Sequence, residues 1–130
     1  MTTTTLATRK TEALAVTHAP VTVDPFLVAD WLGSHGERTT RAYAGDLRDF
    51  AAWLDVTPEG AVARLLSSGP NDARHLALSY RAALVARGLA AATVNRRLAA
   101  LRSLVALACD AGVVAWELRV KGLRARAYRD

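Results

Sequence analysis

The residues best suited to binding chemistry are arginines in two stretches of the chain. Arg41 and Arg48 are seven positions apart, and Arg96, Arg97 and Arg102 follow one another closely in the second half. A guanidinium group is planar, stays charged at physiological pH, and donates hydrogen bonds that match phosphate oxygens and guanine edges. These positions therefore indicate binding of a polyanion such as nucleic acid.

The charge distribution supports the same interpretation. The 130 residues carry a net charge of +5, with a pI near 10.1. Residues 1–80 hold seven Lys or Arg against nine Asp or Glu, a net charge of −2, whereas residues 81–130 hold ten against three, a net charge of +7. Nine of those ten are arginines, which favours a polyanionic partner. A solvated arginine-rich face would have the same composition, so motifs must decide between the two.

No catalytic, metal or cofactor site is predicted. The sequence lacks metal-ligand spacings and a Gly-rich phosphate loop. Asp46 and Asp49, three residues apart around Arg48, are interpreted as a solvated helical face. The single Cys109 cannot form an internal disulfide or a cysteine zinc site, and we interpret it as a small buried hydrophobe. The histidines are isolated and are predicted to lie on the surface: His18, His35 and His75.

Composition predicts a folded, water-soluble chain. Hydrophobic residues make up 52% of the sequence, and mean hydropathy is +0.11. No apolar run approaches the roughly 18–20 residues of a membrane span, and the Thr-rich start is unlike a signal peptide. We therefore expect a cytoplasmic protein with neither a membrane nor a small-molecule partner.

The elements that must position the arginines are helices. Gly and Pro divide the chain into helix-length pieces, and the alternation typical of strands is absent. We predict an all-α fold, a compact bundle of four to five helices with no sheet. The helices are expected at residues 24–33, 38–54, 58–66, 71–87 and 91–110. A flexible arm covers 1–22, the helical domain 23–118, and a basic linker 119–130.

Helical periodicity assigns faces to two of these helices. On the second helix, Tyr43, Leu47, Phe50 and Leu54 form a buried stripe, and Arg41, Gly45 and Arg48 point away from it. On the fifth helix the buried stripe consists of Val94, Leu98, Leu101, Val105 and Ala108.

The remaining faces of the fifth helix are expected to be outward. Arg96, Ala99 and Ser103 lie opposite its buried stripe, with Asn95 and Arg102 on one shoulder. Arg97 lies on the other shoulder. This arrangement predicts a helix that enters a DNA groove.

Two segments resemble the N-terminal core-binding domain of tyrosine recombinases, the phage-integrase and Xer-like family. Residues 39–54, TTRAYAGDLRDFAAWL, are similar to the family's Thr-x3-Tyr-x2-Asp-Leu-x2-Phe helix. Residues 88–102, GLAAATVNRRLAALR, are similar to its Gly-Leu-Ser-x2-Thr-Ile-Asn-Arg-Arg-Leu helix. The order and spacing also match over about residues 26–120. Departures are Gly36 and Ala90, where the family usually has Ser, and Glu117-Leu118 in place of Asn-Pro.

The resemblance implies a helical half-clamp around double-stranded DNA that also touches other recombinase protomers. It further implies a bacterial cytoplasmic protein that is nucleoid-associated when bound to DNA. Base readout is expected from Asn95, Arg96 and Arg97. The family's catalytic residues belong to a separate C-terminal domain, so we expect no strand cleavage from this chain alone, and Tyr128 in the linker is not the nucleophile. The full set of expected DNA contacts is Thr39, Thr40, Arg41, Arg48, Thr93, Asn95, Arg96, Arg97 and Arg102.

Two alternatives stay open at this point. One is a stand-alone helical protein–protein module that regulates an intact recombinase. The other is a recombinase whose catalytic half was removed from this chain or lost from its gene. The leading hypothesis is the DNA-binding domain of a site-specific recombinase or integrase.

Overall fold

The chain folds into five α-helices joined by short turns. The structure is a computed structural model, and it describes residues 24–124. No strand occurs in this range, so the predicted all-helical class is confirmed. The predicted arm and Tyr128 lie outside the described residues. The helices are α1 Pro25–Gly33, α2 Glu37–Leu54, α3 Pro58–Ser67, α4 Gly69–Ala86 and α5 Ala91–Asp110. None of these five is both long and apolar enough to cross a membrane.

The helix starts follow from capping residues that the sequence displays. The Asp24 carboxylate accepts a hydrogen bond from the Phe26 N–H at 2.9 Å, and the Thr57 hydroxyl accepts one from the Gly60 N–H at 3.0 Å. Each cap is followed by a proline, which fits the first helical position because no partner is needed there for an N–H. α2 and α5 begin after Gly36 and Ala90 without a side-chain cap.

The turn between α3 and α4 is tighter than predicted. We expected residues 67–70 to form a loop, but α3 continues to Ser67 and α4 begins at Gly69. Gly69 has a φ of 81°, a conformation that glycine adopts without a Cβ clash. Pro70 is tolerated because it stands in the first helical turn.

α5 is the central helix of the bundle and contacts α1, α2 and α4. Its predicted stripe is buried in full, as are Leu47 and Phe50 of α2. On α1, Leu27 and Trp31 face the core, whereas Phe26 is 73% exposed.

Part of the predicted outward face of α5 is covered by α1. The Trp31 Nε1–H donates to the Ser103 hydroxyl at 3.1 Å, and His35 Nε2 lies 3.3 Å from the same oxygen. Trp31 also stacks on Tyr43, with ring centroids 5.4 Å apart. The predictions of an outward Ser103 and a surface His35 were therefore wrong. They failed because helical phase shows which face is less apolar but not which neighbour covers it.

Residues 113–124, here called the C-terminal strap, pack back on the bundle. Val114 and Leu118 are buried. The packed chain continues past the expected domain end at 118, because Val120 is also buried. Arg102 Nη1 donates to the Val120 carbonyl at 2.9 Å, and Arg81 Nη1 donates to the Lys121 carbonyl at 2.7 Å. The first residues of the predicted linker thus belong to the folded bundle.

Candidate nucleic-acid interface

A row of exposed arginines runs along the solvent side of α2. We call Arg38, Arg41, Gly45 and Arg48 the α2 face. All three arginine side chains are exposed, and a depression of about 600 Å³ lies at its N-terminal end. Arg41 pairs with Glu37 at 2.9 Å, with both side chains more than three-quarters exposed. That pair is readily exchanged for another anion, since solvent-exposed ion pairs contribute little stability.

Arg96 is held against α2 by a buried carboxylate. Its Nε and Nη2 donate to the two oxygens of Asp46 at 3.1 and 2.7 Å. The Asp46 side chain is 2% exposed, whereas that of Arg96 is 48% exposed. This hydrogen bonding raises the pKa of Arg96 above its already high ordinary value. One edge of the guanidinium is therefore fixed, and the rest faces solvent.

Asp49 is the centre of a second group of contacts one helical turn further along α2. It accepts a hydrogen bond from the Tyr80 hydroxyl at 2.5 Å and two from Arg87 at 3.1 Å. Arg97 Nη1 lies 2.7 Å from Asp49, but the N–H is not aligned with the oxygen, so this contact is ionic. The predicted solvated face at Asp46 and Asp49 was wrong, because both carboxylates lie against arginines of other helices.

This cluster changes the titration of its members. Burial alone would raise the pKa of Asp49, but hydrogen bonds from Arg87 and Tyr80, together with the positive charge of Arg97, outweigh it and lower that pKa to about 2. Burial and the hydrogen bond to Asp49 raise the pKa of Tyr80 well above its ordinary value. Burial lowers the pKa of Arg97, but Asp49 and Tyr80 more than compensate and raise it. All these groups therefore hold their native charges at neutral pH.

The lowered pKa of Asp49 predicts sensitivity to acid. Its contribution to stability is complete above the ordinary pKa of 3.8 and is lost as the pH falls through about 2. We expect Asp49→Asn to lower the free energy of unfolding by about 1–2 kcal/mol more at pH 6 than at pH 2.5. Urea denaturation at the two pH values measures this. Asp30→Asn, at an exposed carboxylate without an ion pair to a described residue, serves as control, and an equal pH dependence in both variants would contradict the assignment.

Several residues predicted to touch DNA use their polar groups within the fold. The Thr40 hydroxyl donates to the Leu32 carbonyl at 2.6 Å, with the His35 carbonyl 3.2 Å away, and so ties α2 to the end of α1. The Arg97 side chain is only 17% exposed. Of the other predicted contacts, Thr39 is exposed beside the α2 face and Thr93 is half-buried in the first turn of α5.

Asn95 and Arg102 both hold the C-terminal strap. The Asn95 amide donates to the Leu123 carbonyl at 2.9 Å and accepts from the Leu123 N–H at 2.6 Å. Arg102 contacts the Val120 carbonyl, as described above. The structure thus ties Arg96 to α2 through Asp46, whereas Asn95 and Arg102 lie on the side of the strap.

The residues that position these arginines escaped the sequence analysis. Asp46, Asp49, Tyr80 and Arg87 form the cluster, and none was predicted to do so. The sequence does contain a signal for this cluster. Two carboxylates three residues apart on α2 are complementary in charge to two adjacent arginines on α5. That match becomes visible only when the two helices are known to be neighbours.

Comparison with known proteins relates this chain to one family. The model for the phage integrase N-terminal SAM-like domain matches residues 32–112. A tyrosine recombinase of Synechococcus elongatus is 43% identical over 92% of this chain and 40% of its own length. A tyrosine recombinase of Synechocystis sp. is 42% identical over 71% of this chain and 30% of its own. No solved structure matches the chain.

The chain spans less than half the length of either relative. The matched residues include all of α2 to α5, and with them the α2 face and the carboxylate–arginine cluster. On this match, the chain belongs to the phage integrase N-terminal SAM-like domain family.

Proposed function

We propose that this chain is the DNA-binding domain of a site-specific tyrosine recombinase and grips duplex DNA at the recombination site. The observation that carries the proposal is the α2 face. Its arginines are exposed and make no ion pair with described residues apart from the exposed Arg41–Glu37 pair. Such arginines supply the sequence-independent attraction to phosphate on which DNA binding rests.

The shape of the α2 face suits a DNA groove. Arg41 and Arg48 are seven residues apart, which corresponds to roughly 10 Å along the helix axis. Between them on this side stands Gly45, which has no side chain to keep the helix backbone away from a ligand. A major groove about 12 Å wide admits an α-helix. We infer that α2 lies in or along such a groove, with Arg41 and Arg48 on the phosphates.

Arg96 is the best candidate for base readout. The buried Asp46 holds its guanidinium against α2 and leaves N–H donors facing solvent. An arginine oriented in this way matches the O6 and N7 acceptors of guanine. Thr39 completes the proposed contacts on this side as a phosphate ligand. We leave Thr40, Asn95 and Arg97 out, because their polar groups are engaged within the fold.

We assign strand cleavage to parts of the parent recombinase that this chain does not match. Its relatives carry the name tyrosine recombinase, and the chain covers 40% and 30% of their lengths. In this proposal the domain acts in the bacterial cytoplasm, binds the site, and meets further protomers there.

Fluorescence anisotropy on a labelled duplex tests the proposal. The full 130-residue chain should bind at low salt, and log K should fall linearly with log salt concentration. Replacing both arginines, Arg41→Ala and Arg48→Ala, should reduce that slope by about 1.8, since each phosphate contact contributes about 0.9.

A charge-matched control is available on α3. Arg64 is exposed and forms no ion pair with a described residue, and Arg64→Glu changes the net charge as much as the double replacement does. We expect the Arg64→Glu slope to stay close to that of the unaltered chain. Equal slopes for the control and the double variant would remove the α2 face from the interface. Absence of binding to any duplex at low salt would overturn the proposed function itself.

A further inference from the structure

A second basic surface lies between α4 and the C-terminal strap, away from the α2 face. It is a groove of about 590 Å³ with Leu78 and Val120 among its lining residues. The rest of its lining is basic, and we call it the strap groove: Arg74, Arg81, Arg102, Arg119 and Lys121. Only Arg102 of these five was predicted to contact DNA.

The charges of the strap groove are not neutralised within the described residues. None of its five basic side chains forms an ion pair there, whereas Arg87, Arg96 and Arg97 all pair with Asp46 or Asp49. Glu117 lines an adjoining depression together with Arg74 and Arg119 but forms no ion pair with either. Five like charges around one groove repel each other unless an anion enters it.

Two of the guanidinium groups are already oriented. Arg81 and Arg102 each donate from Nη1 to a carbonyl of the strap, at 2.7 and 2.9 Å. A neutral carbonyl fixes the position of the group without cancelling its charge. Each arginine has five N–H donors, so donors remain on both for an anion. Because the strap carbonyls already hold these guanidinium groups in place, less side-chain conformational entropy is lost when an anion binds.

The strap groove and the α2 face lie on different sides of α5. Successive residues of a helix are about 100° apart, so Asn95 and Arg102 share a side that Arg96 does not. Arg96 is bound to α2, whereas Asn95 and Arg102 are bound to the strap. An anion in the strap groove is therefore separate from one on the α2 face.

We propose that the strap groove binds phosphate groups of the DNA backbone, outside the stretch that α2 contacts. This inference rests on the proposed function. Four of its five cations are arginines, whose forked donors suit phosphate oxygens. The domain then holds its DNA at two places, and binding presses the strap against α4, because Arg119 and Lys121 belong to the strap. Phosphate contacts of this kind add affinity and fix register without reading sequence.

Anisotropy with the full chain tests the inference through Arg74 and Arg119. Both side chains are exposed and make no hydrogen bond to a described residue, so the double variant Arg74→Ala with Arg119→Ala should fold normally. Its salt slope on duplex DNA should be about 1.8 lower than that of the unaltered chain. Arg64→Glu is again the charge-matched control. The loss should be the same on duplexes of different sequence, because phosphate contacts do not discriminate bases.

The outcomes separate this inference from the proposed function. A normal slope for the Arg74/Arg119 variant, with a reduced slope for the Arg41/Arg48 variant, would overturn the strap groove and leave the α2 face in place. No duplex binding by the unaltered chain would overturn both. A labelled polyglutamate peptide tests the protein alternative. If the Arg74/Arg119 variant loses the peptide but keeps full DNA affinity, the groove is a site for acidic protein segments and the inference fails.

Discussion

Arg96→Ala is expected to lower the free energy of unfolding by about 3 kcal/mol. The loss does not come from Arg96 itself, whose side chain is half-exposed, but from what it leaves behind. Asp46 is 2% exposed and receives both of its hydrogen bonds from Arg96. After the replacement its nearest cation is Arg97, whose Nε lies 3.7 Å away. A buried carboxylate without hydrogen bonds is costly. Urea denaturation at pH 7 measures the difference.

A double-mutant cycle distinguishes this explanation from lost packing. Adding Asp46→Ala to Arg96→Ala removes the stranded carboxylate, so the double variant should be more stable than Arg96→Ala alone. Asp46→Ala by itself should cost less than Arg96→Ala, because Arg96 can turn into solvent. Strict additivity of the two changes would contradict the argument, since residues coupled by an ion pair are expected to be non-additive.

This coupling affects how DNA binding by Arg96 is measured. A variant that has lost about 3 kcal/mol can lose DNA affinity through unfolding alone. Binding experiments on Arg96→Ala therefore need a temperature at which circular dichroism shows it folded. Arg41 and Arg48 do not have this complication, because their side chains are exposed and bear no buried partner.

Much of the fold follows from sequence patterns that local physics determines. Asp24-Pro25 and Thr57-Pro58 begin helices where caps and prolines predict, and Gly88 and Gly112 follow the last two helices at positive φ. The buried stripe of α5 agrees with its period in every position. These features depend on residues within one or two helical turns of each other, so they can be predicted from a single sequence.

Features that depend on which helices are neighbours were predicted poorly. Ser103 was expected in solvent because its face of α5 is polar, yet its hydroxyl accepts a hydrogen bond from Trp31 of α1. Asp46 and Asp49 were expected in solvent because isolated carboxylates on a helix usually are. A base contact by Asn95 stays a prediction, but the contact of its amide with Leu123, which is 28 residues away in the chain, was not foreseen. In each case the partner lies on a distant element.

The arginines of this domain divide into two groups by their partners. Arg87, Arg96 and Arg97 pair with carboxylates of α2 and join three helices at one point. Arg48, Arg74 and Arg119 are exposed and pair with no described carboxylate. The first group stabilises the bundle, and the second group supplies the positive field that we assign to DNA. Arg96 belongs to both groups, since one edge of its guanidinium is bound to Asp46 and the other edge faces solvent.

Gly122→Ala is expected to lower the free energy of unfolding by about 2–3 kcal/mol. A Cβ at position 122 would overlap the amide oxygen of Asn95 and lie 2.8 Å from its Cγ. Either the strap or Asn95 must move, and both movements break the two hydrogen bonds between Asn95 and Leu123. Each bond contributes about 1 kcal/mol, and displacement of the strap also exposes part of Val120. Thermal and urea denaturation measure the loss.

Measuring Gly122→Ala in a chain that also carries Asn95→Ala tests whether close contact with Asn95 causes the loss of stability. Truncating Asn95 removes the atoms that a new Cβ would meet, so Gly122→Ala should add little to the cost of Asn95→Ala. Gly33→Ala is a suitable comparison, because a Cβ there meets nothing within 4 Å. If Gly122→Ala costs as much with Asn95 truncated as with it present, the penalty arises from the backbone of the strap rather than from the amide.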